Sequence, residues 1–144
     1  MNTTSGIDVL SVIHETNRAI REANAQDGLV TIIVPEPGAA LAILEPLSEI
    51  LEQFRSSLAI FPGEGVEAKN RRREAVPVSP RVVSAVLGRS VSIPLAAGKL
   101  VLGLREEPML VDMDPRGRRR EFFVQVMSEA AQAAAAGGAQ RPRR

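Results

Sequence analysis

The residue best placed to do chemistry in this chain is Glu36, a carboxylate held between two prolines in the segment Pro35-Glu-Pro-Gly38. This segment ends a continuous apolar run that starts after the turn signal Asp27-Gly28. A β-branched run that breaks at Pro and Gly is typical of a buried strand that delivers a loop to a site. A carboxylate there could accept a proton, or bind a hard cation together with Glu45. The simpler interpretation is a solvated loop glutamate.

Arginine and lysine offer a second kind of chemistry, the binding of anions. Residues 69–73, 116–120 and 141–144 contain 11 of the 18 basic residues, although the formal net charge is only +1. Clusters of this kind bind phosphate groups when they meet on one surface. The near-neutral net charge, and the lack of aromatic residues between the arginines, argue against a nucleic-acid partner.

The composition excludes several kinds of site. There is no cysteine, which removes disulfides, thiolate nucleophiles and zinc–sulfur centres. His14 is the only histidine, so a His-rich metal site cannot form, and we expect no transition-metal centre. Asp112 and Asp114 alternate on one predicted strand face, where we expect an ion pair with a neighbouring arginine rather than a metal site.

The chain also lacks the sequence features of a membrane or exported protein. No apolar run approaches the length of about 20 residues that a membrane helix needs, and the N-terminus has no signal-peptide pattern. We therefore expect no membrane association and a cytoplasmic location.

Apolar periodicity and turn residues predict the elements that position these groups. Their order is strand, helix, two strands, helix, polar loop, helix and four strands, which is not the alternation of a doubly wound fold. This order predicts an α+β domain with mainly antiparallel sheets over residues 1–129, followed by a disordered Ala-, Gly- and Arg-rich tail over 130–144. The predicted strands are 6–12, 29–34, 39–44, 90–95, 98–102, 109–114 and 120–127. The predicted helices are 13–24, a helix from Pro46 that ends before Pro62, and 80–87, and residues 62–80 are a predicted surface loop.

The order and spacing of short motifs over about residues 5–129 resemble the YjbQ-like family, which is linked to a secondary thiamine-phosphate-synthase activity. The resemblance implies a compact β-sandwich-type α+β fold with two to three helices. It also implies a homotrimer with sites near the subunit boundaries. The matching features are Asp27-Gly-Leu-Val-Thr31, Val34-Pro35, Ala39-Ala40, Glu45, Leu87-Gly88, Ser90-Val-Ser-Ile-Pro94, Gly98-Lys-Leu-Val-Leu-Gly103, Asp114, and Arg116 with Arg118–Arg120.

The positions that depart from the family pattern are the ones implied to do its chemistry. The family elbow reads Pro-His-Thr, whereas Glu36 stands here at the histidine position. Residues 77–83 lack the family's histidines, and Gly103-Leu-Arg-Glu106 replaces its Gly-Thr-Trp-Gln signature. Arg81 and Arg105 thus occupy family site positions. They could pair with Glu36 and Glu106 and fill the old site, or form a new anion site.

The joint loss of these groups predicts a member without the family's ancestral catalysis, because catalytic groups that act as a unit do not survive piecemeal removal. Such a protein would bind a small phosphorylated ligand or serve as a trimeric scaffold, with no cofactor. The alternative is a thiamine-phosphate-synthase-type enzyme that joins a pyrimidine diphosphate to a thiazole phosphate. Mg²⁺ and arginines would then stabilise the leaving diphosphate. The candidate catalytic residue is Glu36, and the candidate ligand-binding residues are Glu45, Arg81, Arg105, Arg116 and Arg118.

Overall fold

The computed structural model of the protein describes residues 7–60, 68–69, 75–76, 79–114 and 119–128. Over these residues the chain forms three helices and mainly antiparallel sheets, which confirms the predicted α+β class. The helices are α1 (Ile13–Glu22), α2 (Ser48–Ile60) and α3 (Pro80–Leu87). The strands are β1 (Asp8–Ser11), β2 (Gly28–Ile33), β3 (Ala39–Leu44), β4 (Ala68–Lys69), β5 (Ala75–Val76), β6 (Ser90–Ala96), β7 (Lys99–Leu100), β8 (Glu107–Asp112) and β9 (Phe123–Ser128).

The strands form two sheets and a short ribbon. One sheet has the order β1-β8-β3, the other has the order β7-β6-β2-β9, and every pair in them is antiparallel. Strands β4 and β5 pair as a separate two-stranded ribbon inside the predicted 62–80 loop. That prediction was wrong for these four residues, because strands of two residues are too short to show an apolar alternation.

The three-stranded sheet is the middle layer of the molecule. One of its faces shares an apolar core with the four-stranded sheet and α1, a core that includes Val30, Ile93 and Leu110. The other face packs against α2 and α3 through a second cluster that includes Met109 and Val83. Strand β8 is therefore covered on both faces, which explains why nearly all its residues are buried.

The four-stranded sheet, by contrast, is covered on one face only by the residues that the structure describes. Exposed and covered residues alternate along β6 and β9, as the two-residue period of a half-buried strand requires. The uncovered face carries large apolar side chains, among them Phe123 and Met127, which are 57% and 53% exposed. None of the described helices combines the length and the apolarity that crossing a membrane requires.

Helix α2 begins two residues later than predicted. Leu47 N donates to Glu45 O over 2.8 Å, which makes a tight turn around Pro46, and Leu47 O then accepts the first helical bond from Leu51 N at 2.9 Å. Helix α3, in contrast, has the predicted bounds. The side chain of Ser79 accepts a hydrogen bond from Arg81 N, Pro80 occupies the first helical position, and Gly88 follows the last.

Candidate functional site

The elbow at residues 34–38 connects the two sheets, because β2 belongs to the four-stranded sheet and β3 to the three-stranded one. It is fixed at its start by Arg89, whose backbone oxygen accepts from Val34 N at 2.9 Å and whose side chain donates to Pro35 O at 2.6 Å. The elbow is therefore anchored to the residue that immediately precedes β6.

The end of the elbow is fixed by Gly38. Its backbone N donates to Ser84 Oγ over 3.1 Å, and its backbone O accepts from Met113 N at 3.0 Å. Gly38 has a φ of +93°, and a Cβ there would lie 3.3 Å from a guanidinium nitrogen of Arg120. The positive φ therefore favours glycine at this position, and a larger residue would also crowd the arginine.

Arg120 lies beneath the elbow with its side chain completely buried. It makes a two-pronged ion pair with Asp112, from Nε to Oδ2 at 2.9 Å and from Nη2 to Oδ1 at 3.0 Å. Its Nη1 donates to Glu36 Oε2 at 3.0 Å and to Pro37 O at 3.4 Å. Asp114 Oδ2 lies 3.8 Å from Nη2. The guanidinium thus ties the elbow to the end of β8, and each of its nitrogens has a protein partner.

The electrostatics of this group favour a charged arginine. Hydrogen bonding to Asp112 raises the pKa of Arg120 above its already high ordinary value, although burial alone would lower it. Asp112 Oδ1 also accepts a bond from Asp114 N at 3.0 Å, so the carboxylate is well satisfied in the interior. Among the described residues, three carboxyl groups therefore surround this guanidinium, an arrangement that holds the elbow in place.

The predicted site residues are only partly brought together. Glu36 lies at the elbow as predicted, with its side chain 47% exposed, but its ion-pair partner is Arg120. Arg81 and Arg105 are exposed, and in the described part of the chain neither forms an ion pair with Glu36. Glu106 accepts a hydrogen bond from Gly103 N at 2.8 Å.

The sheet order separates the two predicted halves of the site within one chain. The 103–106 turn follows β7, at one edge of the four-stranded sheet, whereas Arg120 precedes β9 at the other edge. Glu45 is exposed and lies at the far end of β3 from the elbow. Arg116 and Arg118 lie outside the described residues, as does the predicted tail over 130–144.

Arg120 and Asp112 were the residues that sequence reasoning undervalued. The alternation of Asp112 and Asp114 did indicate an ion pair with a neighbouring arginine, and that pair exists with Arg120. Nothing in the local pattern indicated which of the clustered arginines is buried, because the burial depends on the elbow that crosses above it. Within the described ranges, no three side chains of the metal-binding residue types are grouped so that they could hold an ion.

Solved structures of other proteins have the same fold as this chain. A YjbQ/UPF0047-family protein from Clostridium acetobutylicum is 21% identical, with a TM-score of 0.73 over 88% of this chain and 96% of its own. A hypothetical protein from Aeropyrum pernix K1 is 22% identical, with a TM-score of 0.73 over 90% of this chain and 96% of its own. These likenesses show the shared fold.

The family follows from the sequence comparison. A UPF0047 protein from Archaeoglobus fulgidus is 26% identical over 120 residues, which cover 83% of this chain and 92% of that protein. The model of the UPF0047 protein YjbQ-like family matches residues 1–129, and the chain belongs to this family.

Proposed function

We propose that this protein is a homotrimeric scaffold in which the catalytic elbow of its family has become a structural ion-pair centre. The observation that supports this most directly is the complete burial of Arg120 and the engagement of all its nitrogens by Asp112, Glu36 and Pro37. A guanidinium committed in this way supports the elbow and cannot also bind a ligand phosphate.

The same charges make the elbow a poor site for a phosphorylated ligand. The one described arginine among the carboxyl groups at the elbow, Arg120, is already paired with Asp112 and Glu36, and so it is not available to an incoming phosphate. The sequence allowed two roles for a protein without the family's catalysis, a scaffold and an anion binder. The pairing of Arg120 at the elbow favours the scaffold.

The uncovered face of the four-stranded sheet supports the assembly. Leu29 lies directly opposite Met127, and Ile33 lies directly opposite Phe123, on neighbouring strands. All four side chains are at least 39% exposed. Apolar side chains grouped on one sheet face are typical of a surface that another protein covers. The number of three subunits comes from the family resemblance.

The second candidate is the thiamine-phosphate-synthase-type enzyme, and one observation favours it. Glu36 remains about half exposed although it is held between two prolines and by Arg120. A carboxylate that is both oriented and accessible could take a proton or hold Mg²⁺ for a leaving diphosphate.

One experiment separates the two functions and the ligand-binding alternative. The oligomeric mass is measured first, and the melting temperature is then recorded with a pyrimidine diphosphate and a thiazole phosphate, with and without Mg²⁺. A trimer with no ligand-induced shift and no thiamine-phosphate formation is the expected result. A monomer would refute the scaffold, and stabilisation without turnover would indicate the anion binder.

Turnover would indicate the enzyme, and Glu36→Gln then tests the assigned site. The enzyme requires that this isosteric change abolish Mg²⁺-dependent turnover. The matched control is Glu45→Gln, an exposed carboxylate at the other end of β3. Under the scaffold function, both variants remain trimers with unchanged thermal behaviour towards the precursors.

A further inference from the structure

A cleft of about 720 Å³ lies between α1 and the chain around β7, and it shares no lining residue with the elbow. Helix α1 lines one wall with Ile13, Asn17, Ile20 and Arg21. These positions share one helix face because Asn17, Ile20 and Arg21 lie four, seven and eight residues after Ile13. The opposite wall consists of residues from 98 to 106.

The wall opposite the helix is formed by two closed turns, so the cleft is present without a ligand. Gly98 N donates to Gln26 O at 2.8 Å, which fixes the β6–β7 turn. Gly103 N donates to Glu106 Oε1 at 2.8 Å, and Glu106 N donates back to Gly103 O at 3.1 Å. A site whose walls are already held in place loses little entropy when a ligand binds.

The floor of the cleft is apolar. Ile20 is buried in the main core, and Leu100 and Leu102 pack against that core while still lining the cleft. Leu104 is 100% exposed at its rim. An apolar ligand body placed here would cover these side chains and remove apolar surface from water.

The charged groups at the cleft are predominantly cationic. Arg21 and Lys99 line it and are exposed, and in the described part of the chain neither has an ion-pair partner. The one acidic lining residue, Glu106, directs a carboxylate oxygen to Gly103 N. Two cations above an apolar floor complement a molecule with a negative head and an apolar body.

We propose that this cleft binds a small molecule with an apolar body and a single anionic headgroup, of which a medium-chain carboxylate is the simplest example. The volume lies within the range of about 300–1,000 Å³ that is usual for small-molecule sites. An apolar lining with a few polar groups is also usual for such sites. This site is separate from the elbow and does not depend on the function proposed for it.

Titration of the full-length protein with decanoate in a calorimeter tests the proposal. Decanol supplies the apolar body alone, and acetate supplies the headgroup alone. We expect saturable binding of one decanoate per chain, with weaker binding of both reference compounds. Decanol that binds as tightly as decanoate would overturn the assignment of the charged groups, and the absence of saturable decanoate binding would overturn the site.

Two charge variants and a matched control locate the binding. Arg21→Met and Lys99→Met should each weaken decanoate binding about fivefold to tenfold, the effect of losing one partly exposed charged hydrogen bond. Arg18→Met removes an exposed cation from the same helix outside the cleft, and should leave the affinity unchanged. Equal losses in Arg18→Met and Arg21→Met would refute binding in the cleft.

A rim variant distinguishes a ligand site from a contact between copies of the chain. Leu104→Ser removes a fully exposed side chain, so the fold should tolerate it, and it should weaken decanoate binding without changing the oligomeric mass. If Leu104→Ser instead dissociates the assembly and leaves decanoate binding unaltered, the cleft belongs to a subunit contact and the proposal fails.

Discussion

At the scale of single residues, the position of the elbow depends on its hydrogen bonds to Arg120. A buried arginine stabilises a protein only where its partners are present, since an unpaired charge in the interior is very costly. The carboxylate of Asp112 accepts hydrogen bonds from Nε and Nη2 of Arg120. The third nitrogen, Nη1, donates to Glu36 Oε2 and to Pro37 O. Glu36 is chemically suited to this neighbour, because its carboxylate accepts a hydrogen bond from the guanidinium and carries the opposite charge.

Replacing Arg120 by methionine should strongly destabilise the protein. Asp112, which is 1% exposed, would lose its two-pronged ion pair, and the loss of one partner of a buried ion pair costs about 3–5 kcal/mol. The matched control is Arg119→Met, an exposed neighbour whose removal should change the free energy of unfolding by no more than about 0.5 kcal/mol. Denaturant unfolding at one protomer concentration measures both.

A double variant and the pH dependence sharpen this test. Asp112→Asn combined with Arg120→Met should cost less than the sum of the single changes, because neither charge is then left alone. Since the pKa of Arg120 is raised in the folded state, its stabilisation is complete below the unfolded pKa and is lost only as the pH rises through the folded one. The difference between wild type and Arg120→Met should therefore stay constant from about pH 7 to about pH 10. Additive single effects would contradict the pairing.

At the scale of elements, the sequence predicted best those segments whose ends carry their own local signals. Helix α3 has the predicted bounds because Ser79, Pro80 and Gly88 define its ends without help from distant residues. The strands 90–95 and 98–102 were likewise predicted and form the paired strands β6 and β7, although β7 is shorter than expected. The predicted start of α2 was two residues too early, because Glu45, Pro46 and Leu47 form a tight turn that precedes the first helical hydrogen bond.

The candidate site was less predictable because it depends on contacts between distant segments. Glu36 was found from the composition of its own loop. Its partner Arg120 is 84 residues away in the sequence, and pairing the two requires the sheet order that places β9 beside β2. The same order separates Arg105 from Glu36 within one chain, although the family resemblance had suggested that the two could pair.

The cap of α3 gives a test at this scale. Ser79→Ala should lower the free energy of unfolding by about 1 kcal/mol, because Ser79 Oγ accepts from Arg81 N at 3.2 Å and alanine cannot. Ser57→Ala is the control. This exposed serine donates within α2 to Gln53 O, so its loss should be nearly neutral. Thermal and denaturant unfolding of both variants measure the two changes in the free energy of unfolding. Equal changes would show that the cap hydrogen bond at Ser79 does not stabilise the protein more than the serine bond within α2 does.

At the scale of the whole molecule, the layers are unequal. The middle sheet is covered by a sheet on one side and by helices on the other, whereas none of the described residues forms a layer on the outer face of the four-stranded sheet. The side chains of Phe123 and Met127 on that face are more exposed than a single chain in water requires. A second copy of the chain would provide the missing layer.

If the uncovered face is the contact between subunits, one negative charge placed in it should dissociate the assembly. Phe123→Glu and Met127→Glu each replace an apolar side chain that a neighbouring subunit would bury, and the desolvation of an unpaired carboxylate is unfavourable there. We expect a shift in mass from trimer to monomer in sedimentation velocity. Both residues are exposed in the single chain, so the fold should persist.

Val86→Glu is the matched control for this experiment. Val86 is 61% exposed on α3, on the opposite side of the middle sheet, so the same change there tests the effect of added charge alone. This variant should keep the mass of the wild type. If Phe123→Glu and Met127→Glu retain the trimer while Val86→Glu dissociates it, the subunits meet through the helical layer. The exposed apolar sheet face would then need a different partner.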